Sequence, residues 1–251
     1  MQLSGHHILI TGGTSGIGAA LATAFHKRGN KVGICGRRTE RLKEMQARLP
    51  GIKTLACDIS QDAGRHALLE WAQKEMPLLN MLVNNAGIQR DIDLTQGLDE
   101  YMSGENEIRV NLQSPIELTG LFAPFIRKNN NPTLINVSSG LGFVPAAAMP
   151  VYSATKAGMH AFTMAIRQQF QKIGIRVYEI IPPAIDTELN PQGRAKRGNF
   201  RANLAPEAFV EGVLKALADD VPEIGYGDSV KFITASRREL DEIFKAMNQG
   251  W

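Results

Sequence analysis

Short apolar runs alternate along the chain with longer stretches whose apolar positions recur at helical spacing. The short runs are rich in β-branched residues, which is typical of strands buried in a sheet. Predicted strands lie at residues 7–11, 31–36, 54–57, 81–87, 133–137, 175–181 and, as a short piece, 223–226. Predicted helices lie at residues 19–28, 39–48, 106–129, 150–173, 206–218 and 236–248. With 251 residues and no linker or repeat, we expect one α/β domain over residues 1–251.

A glycine-rich turn, GGTSGIG at residues 12–18, joins the first predicted strand to the first helix. Such a turn presents backbone N–H groups and a helix N-terminus to a phosphate. We expect Gly12 to permit the tight turn, Gly16 to admit a pyrophosphate and Gly18 to bring the helix close to the strand. A turn with no ligand is the alternative. The candidate cofactor contacts here are Gly12, Thr14, Ser15, Gly16, Ile17 and Gly18.

Two arginines, Arg37 and Arg38, follow the second predicted strand. In a dinucleotide-binding fold this position meets the adenosine ribose, where an acidic residue would favour a free 2′-hydroxyl. Guanidinium groups instead favour a 2′-phosphate, so the sequence predicts NADP(H) over NAD(H). The alternative is a solvated basic helix start, which is unfavourable beside the positive end of a helix dipole unless an anion compensates.

Polar residues also end the third and fourth predicted strands. Asp58 either accepts a hydrogen bond from the adenine amino group or caps the helix that starts near Ser60. Asn84 and Asn85 suit the turn after the fourth strand, where one braces the fold and the other faces the adenosine. Which of them does so stays open at this point.

A proton-transfer site is predicted between the fifth strand and the helix at 150–173. Tyr152 and Lys156 are four residues apart and therefore share one helix face, while Ser139 stands thirteen residues before Tyr152 at the strand end. A phenol with a pKa of about 10 is a poor catalyst at neutral pH, and we expect the nearby ammonium to lower that pKa. Such a site needs a hydride carrier that no side chain supplies. A chance pair on an amphipathic helix is the alternative.

Asn111 lies inside the predicted helix at 106–129, where asparagine is mildly unfavourable. The Ser114–Pro115 pair nearby predicts a local irregularity. An irregular helix can free a carbonyl for water, which suits a proton relay. A polar side chain satisfied by its neighbours is an equal alternative.

The segment after the sixth strand offers further contacts. Ile185 and Thr187 are positioned to hold a carboxamide by backbone and hydroxyl groups. Residues 188–204 have no strong period and are basic, and a loop of this length in a compact domain is often a lid, so we predict a substrate lid there. Gln89 and Met149 are the candidate substrate contacts outside it.

Composition excludes several other classes. The net charge of +3 is too small to favour nucleic-acid or membrane partners. Cys35 and Cys57 do not make a disulfide framework and indicate reduced thiols in a cytoplasmic protein. We expect no signal peptide, since the start lacks a basic region followed by a long apolar stretch, and we assign no metal ligands.

The sequence resembles the short-chain dehydrogenase/reductase family over nearly its whole length. Its motifs fall in that family's order and spacing: TGxxxGxG at 11–18, NNAG at 84–87, Asn111, Ser139 and YxxxK at 152–156. The resemblance implies a single-domain, doubly wound Rossmann fold with helices on both faces of a parallel sheet. It also implies hydride transfer between NAD(P)H and a carbonyl or alcohol. The helices at 106–129 and 150–173 commonly pair in this family, so a homodimer or homotetramer is expected.

The resemblance assigns a role to each matching residue. Tyr152 is implied as acid/base, Lys156 as its partner and a ligand of the nicotinamide ribose, Ser139 as the substrate-oxygen ligand and Asn111 as the water-relay residue. The remaining implied cofactor contacts are Asp58, Asn85, Ala86, Gly87, Ile185 and Thr187.

One departure from the family pattern is Pro182–Pro183, where proline followed by glycine is usual. This pair, with ICGR at 34–37, NNAGIQ at 84–89 and DTxLN at 186–190, is similar to the DltE-type branch of the family. The sequence therefore predicts an NADP(H)-dependent oxidoreductase acting on a carbonyl or secondary alcohol. A non-catalytic NADP(H)-sensing protein on the same fold is the alternative, although such proteins typically lose the Tyr–Lys pair that this chain keeps.

Overall fold

The computed structural model describes residues 1–196 and 204–249. Seven strands form one parallel sheet in the order β3-β2-β1-β4-β5-β6-β7. They are β1 His7–Thr11, β2 Lys31–Gly36, β3 Lys53–Ala56, β4 Met81–Asn84, β5 Thr133–Val137, β6 Arg176–Ile181 and β7 Glu223–Gly225. The predicted doubly wound fold is confirmed.

Ten α-helices connect and cover these strands in the part of the chain that the structure describes. They are α1 Gly16–Lys27, α2 Thr39–Arg48, α3 Asp62–Glu75, α4 Asp99–Met102, α5 Ser114–Ile126, α6 Pro150–Gln171, α7 Pro191–Lys196, α8 Pro206–Ala218, α9 Asp228–Thr234 and α10 Arg237–Met247. The segment predicted as one helix at 106–129 is interrupted, because residues 109–113 form a π-helical stretch before α5. Two short helices, α7 and α9, were not predicted.

The sheet is apolar on both faces because its strands are central and parallel. Along β1, Ile8 and Ile10 face a core shared with α1, α2 and α8, whereas Leu9 faces a second core shared with α3, α5 and α6. The two cores together hold the helices on opposite sides of the sheet. Burial of successive residues on opposite faces explains why these strands read as continuous apolar runs.

The order of the strands places the functional residues at one edge. Helices that follow β1 and β4 lie on opposite faces, so a crevice opens beyond the carboxyl ends of these two neighbouring strands. The glycine turn, Asn84 to Gly87, Ser139 and the segment after Ile181 all follow strand ends at that edge.

Candidate active site

The glycine turn is built by close contacts that no larger residue tolerates. Gly12 has φ +66°, and a Cβ on it would lie 2.8 Å from the Cα of Ala86. A Cβ on Gly18 would lie 2.4 Å from both the Gly12 carbonyl oxygen and Nδ2 of Asn85. The Asn85 amide in turn donates to the carbonyl oxygens of Thr11 (2.9 Å) and Gly12 (3.2 Å). The turn, β1 and the start of α1 are therefore locked together.

Gly18→Ala is expected to lower the free energy of unfolding by about 1–3 kcal/mol, since backbone atoms must move to admit the methyl group. Chemical denaturation of both proteins measures the difference. Gly120→Ala in α5 is the matched control, because no heavy atom lies within 4 Å of the added Cβ. An equal response of the two variants would contradict the packing described here.

The N-terminus of α1 suits an anion. Ser15 is the N-cap residue, but its side chain makes no capping hydrogen bond, and the first turn contains no acidic residue. The first N–H groups of a helix need partners from outside it, and the dipole favours a negative one. Thr187 closes the turn on the other side, since its Cγ2 would lie 3.0 Å from a Cβ on Gly16. The residues present thus fit a dinucleotide pyrophosphate.

Two guanidinium groups flank the end of β2, as the sequence predicts. Arg37 forms an ion pair with Glu105, and this pairing raises the arginine's pKa. Arg38 donates to Glu188 (3.1 Å) and to the hydroxyl of Ser15 (2.8 Å) in the glycine turn. A cleft of about 580 Å³ borders the same turn, and Arg41 is among its lining residues. Cationic groups therefore surround the place where an adenosine ribose would lie.

The side chains of Asn84, Asn85 and Asp58 all make hydrogen bonds within the protein. Asn84 donates to Asn136 (2.9 Å), and the Asn85 amide holds the glycine turn. Both asparagines thus brace the fold. Because its amide group is already bound, Asn85 can contact a cofactor only through its other atoms. Asp58 accepts from the N–H of Ser60 (2.9 Å), but α3 begins later, at Asp62, so Asp58 closes a turn instead of capping the helix.

Ser139, Tyr152 and Lys156 come together as predicted. The Ser139 hydroxyl lies close enough to the Tyr152 phenol to lower its pKa. Lys156 Nζ lies 5.6 Å from the centroid of the Tyr152 ring and donates to the Val137 carbonyl oxygen at 2.9 Å. The strand end at Val137 therefore fixes the ammonium, and α6 fixes the phenol above it. Both side chains are buried, at 6% and 4% exposure.

The pKa of the Tyr152 phenol is raised, whereas the sequence analysis predicts that it is lowered. Burial raises this pKa to about 12; the hydrogen bond from Ser139 and the charge of Arg194 lower it, and the charge of Glu107 raises it. The prediction that Lys156 brings the phenol toward neutral pH is thus wrong for the protein without ligands, because burial dominates and the groups that lower this pKa are Ser139 and Arg194. Burial also lowers the pKa of Lys156 to about 8, against the opposing charge of Glu179.

Asn111 lies within the π-helical segment Arg109–Gln113, so the predicted irregularity is confirmed. Its side-chain oxygen accepts from the N–H of Ile88 (2.8 Å), and its amide donates to the Ile88 carbonyl (2.8 Å) and to Thr155 (3.3 Å). The side chain is therefore engaged in holding the segment after β4 against α6. A relay through this residue would have to use its backbone.

The other predicted contacts lie around these groups. Gly87 borders the cation, since a Cβ there would lie 3.8 Å from Lys156 Nζ. Met149 packs in the same apolar cluster as Tyr152, and Gln89 is partly buried in the segment that Asn111 holds. Ile185 is buried, and its carbonyl accepts from Arg194 (2.9 Å) in α7. Of the predicted lid, residues 197–203 lie outside the described residues.

A sequence profile described as short chain dehydrogenase matches residues 6–198 of this chain. The chain belongs to the short-chain dehydrogenase family. Among related proteins, an uncharacterized oxidoreductase named DltE from Bacillus subtilis (strain 168) is 41% identical over 248 residues, covering 99% of this chain and 98% of that protein. This relative places the dehydrogenase in the DltE-type branch that its Pro182–Pro183 pair indicates.

Solved structures agree with the fold of this short-chain dehydrogenase. A short chain dehydrogenase from Burkholderia cenocepacia J2315, in complex with NADP, has a TM-score of 0.81 at 25% identity, covering 97% of this chain and 99% of the other. A short chain dehydrogenase/reductase from Burkholderia phymatum, in complex with NAD, has a TM-score of 0.84 at 19% identity, covering 100% and 98%. This chain therefore has an oxidoreductase fold whose neighbours bind nicotinamide cofactors.

Two charged residues at the site of this dehydrogenase were not predicted. Glu107 is fully buried, one turn before Asn111, and burial raises its pKa to about 7. Arg194 lies in α7, and its charge acts on the Tyr152 phenol. The spacing of Glu107 and Asn111, four residues apart in one helical stretch, was the available signal for the first. Arg194 belongs to the basic segment 188–204 that the sequence predicts as a lid, but no pattern connects it with Tyr152.

Proposed function

We propose that this protein is an NADP(H)-dependent oxidoreductase that interconverts a carbonyl compound and a secondary alcohol. The observation that carries the proposal is the Lys156 ammonium 5.6 Å from the centroid of the Tyr152 ring, with the Ser139 hydroxyl close enough to lower the pKa of that phenol. This group lies at the same sheet edge as a glycine turn that fits a pyrophosphate. A bound nicotinamide cofactor would supply the hydride, and the chain's own residues would hold the substrate oxygen and move the proton.

In the direction of reduction, Tyr152 donates a proton to the substrate oxygen. A phenol with its pKa raised to about 12 carries its proton throughout the neutral range, and donating that proton requires a nearby cation to stabilise the phenolate that remains. Ser139 would hold the same oxygen, since its hydroxyl lies close enough to the Tyr152 phenol to affect its pKa.

Lys156 would stabilise the phenolate that remains after proton donation. Its ammonium is held by the Val137 carbonyl, and with a pKa of about 8 it is mostly protonated at pH 7. We assign Asn111 the task of fixing the segment after β4 against α6, with its π-helical backbone as the point where water enters. Lys156 also lies next to Gly87, where the nicotinamide ribose would bind.

The cofactor is proposed to bind along the strand ends. The glycine turn and the N-terminus of α1 take the pyrophosphate, Asp58 and the backbone of 85–87 lie toward the adenosine, and Ile185 with Thr187 holds the carboxamide. Arg37 and Arg38 take a 2′-phosphate in place of Glu105 and Glu188, their present partners. This exchange supports NADP(H) over NAD(H), since phosphate offers more charge than either carboxylate.

We expect Arg37→Ala and Arg38→Ala each to raise the KM for NADPH by about 10- to 100-fold and to leave the KM for NADH nearly unchanged. The magnitude is that of one or two hydrogen bonds to a charged group. Initial rates with each cofactor measure the ratio. Arg238→Ala, in the exposed ion pair with Glu242 on α10, is the control for losing a cation. Equal losses for both cofactors would contradict the 2′-phosphate assignment.

A panel of aldehydes, ketones and secondary alcohols, followed at the nicotinamide absorbance, tests the proposed activity. Turnover of at least one class with NADPH or NADP supports it. Tight NADPH binding with no turnover of any member would instead favour the non-catalytic, cofactor-sensing alternative.

The remaining features of the proposal concern the surroundings of the site. Residues 188–204 are proposed as the substrate lid, with α7 as its described part. A homodimer or homotetramer is proposed through α5 and α6, which expose Ile116 and Met164. A cytoplasmic location is proposed because both cysteines are free. In the described ranges no helix is long and apolar enough to cross a bilayer.

A further inference from the structure

Glu107 is a buried carboxyl group that the proposed reaction does not use. Its exposure is 0%, although glutamate is rarely fully buried without a charged partner. One oxygen, Oε1, accepts from the backbone N–H of Arg90 at 3.0 Å. The other, Oε2, has no hydrogen-bond partner among the described residues, and no ion pair joins this side chain to them.

The guanidinium of Arg90, the residue whose backbone N–H binds Glu107, already makes hydrogen bonds elsewhere. The Arg90 guanidinium donates to the backbone carbonyls of Glu100 (2.5 Å) and Tyr101 (2.9 Å), so it holds the segment around α4. A second buried carboxylate, Glu179, also has one oxygen without a hydrogen-bond partner, but its other oxygen is paired with His160 at 2.9 Å, whereas Glu107 has no such ionisable partner among the described residues. Glu107 is therefore an acceptor that the described part of the fold leaves half satisfied, and such groups call for a specific partner.

A hydrogen bond connects Glu107 to the segment that carries the candidate substrate contact Gln89. Glu107 and Asn111 share one helical stretch and bind the same segment, Asn111 at Ile88 and Glu107 at Arg90. Gln89 lies between these two anchor points. The same segment is bound to the residues before Tyr152, since the N–H of Ile92 donates to the Ala148 carbonyl at 3.0 Å. Glu107 is close enough for its charge to act on the Tyr152 phenol.

We propose that Glu107 is a substrate-binding residue whose Oε2 accepts a hydrogen bond from a hydroxyl or ammonium group adjacent to the reacting carbonyl. The inference rests on the proposed function and narrows its substrate class to carbonyl compounds that carry a hydrogen-bond donor. A donor at this position satisfies the orphaned oxygen and excludes analogues that leave it unpaired. Burial raises the pKa of Glu107 to about 7, and a donor bound to Oε2 would lower that pKa because it favours the ionised form.

Two pairs of similar size test the proposal with the intact protein and NADPH. Hydroxyacetone and aminoacetone are each compared with butanone, as probes for a hydroxyl and an ammonium donor adjacent to the carbonyl. We expect the wild type to favour the donor-bearing member of at least one pair by about 100-fold in kcat/KM.

Glu107→Gln is the matched variant, because its amide oxygen can still accept from Arg90 while its NH2 replaces Oε2 and repels a donor. It should lower the preference by about tenfold or more and leave NADPH affinity unchanged. Glu107→Met, which removes both oxygens, should do the same if it folds. Glu70→Gln, an exposed glutamate on α3, is the control and should keep the wild-type ratio.

A wild type that shows no preference in either pair overturns the inference, and so does a preference that survives in Glu107→Gln. Both results leave the proposed function standing, since both members are turned over. A wild type that binds NADPH but reduces no carbonyl compound of these pairs or of the wider panel overturns the proposed function, and this inference falls with it.

Discussion

Tyr152→Phe is expected to lower kcat/KM for carbonyl reduction by about 10³-fold, the scale of a lost general acid. The change removes only the hydroxyl that meets Ser139 and keeps the ring that packs in the cluster with Met149. NADPH affinity should therefore stay within about threefold of the wild type. Steady-state kinetics and a fluorescence titration of NADPH measure the two quantities separately.

Tyr178→Phe provides the matched control for this loss. Tyr178 is also buried, its hydroxyl donates to Asp220, and burial together with that bond raises its pKa to about 12. It lies on β6 and contacts none of the predicted catalytic residues through its hydroxyl. Tyr178→Phe should change the free energy of unfolding, but the turnover per folded protein molecule should stay at the wild-type value. If Tyr152→Phe retained more than a tenth of wild-type kcat/KM, Tyr152 would not be the proton donor.

Lys156→Met is expected to lower kcat/KM by about 10²- to 10³-fold, the scale of removing one preorganised electrostatic group. Methionine keeps an apolar stem of similar length in the buried position, but leaves the developing phenolate without its cation. The Val137 carbonyl also loses its partner, so the stability of this variant has to be measured alongside activity.

The pH dependence of kcat/KM tests the role of the Lys156 ammonium, because the direction of the change follows from the pKa of Lys156. Burial lowers the pKa of Lys156 to about 8, so the ammonium is present below that pH and is lost above it. The kcat/KM of the wild type, which reports the free enzyme, should therefore fall as pH rises through about 8. Lys156→Arg keeps its charge at all these pH values, so any residual activity should lack that fall. A wild-type profile that stays flat to pH 10 would contradict the role of the ammonium.

The predictions from sequence succeeded where local pattern decides structure. The strands were predictable because residues such as those of β1 are apolar on both faces of a central parallel sheet. The glycine turn was predictable because only glycine fits where Gly12 and Gly18 approach the backbone. The π-helical stretch around Asn111 was foreshadowed by an unfavourable residue near a proline.

The failures concern properties that only packing determines. The sign of the Tyr152 pKa shift depends on the balance of burial against a nearby cation, and spacing reveals the cation but not the burial. Glu107 was not predicted as a site residue, because its spacing to Asn111 does not reveal that it is fully buried. The Asn85 amide holds the glycine turn, a bracing role that the sequence left open between Asn84 and Asn85, and its contact with a cofactor stays a prediction. The short helix α7 gave no signal, since six residues are too few for a helical period.

The central claim, that these residues direct a hydride between a nicotinamide ring and a carbonyl carbon, has one direct test. NADPH labelled with deuterium at the transferring position of its ring is incubated with the wild type and the best carbonyl compound of the panel, and the alcohol is analysed by mass spectrometry. The predicted result is an alcohol with one deuterium on its carbinol carbon. Tyr152→Phe should form this product much more slowly than the wild type. An alcohol without deuterium, or oxidation of the cofactor with no alcohol formed, would contradict the account.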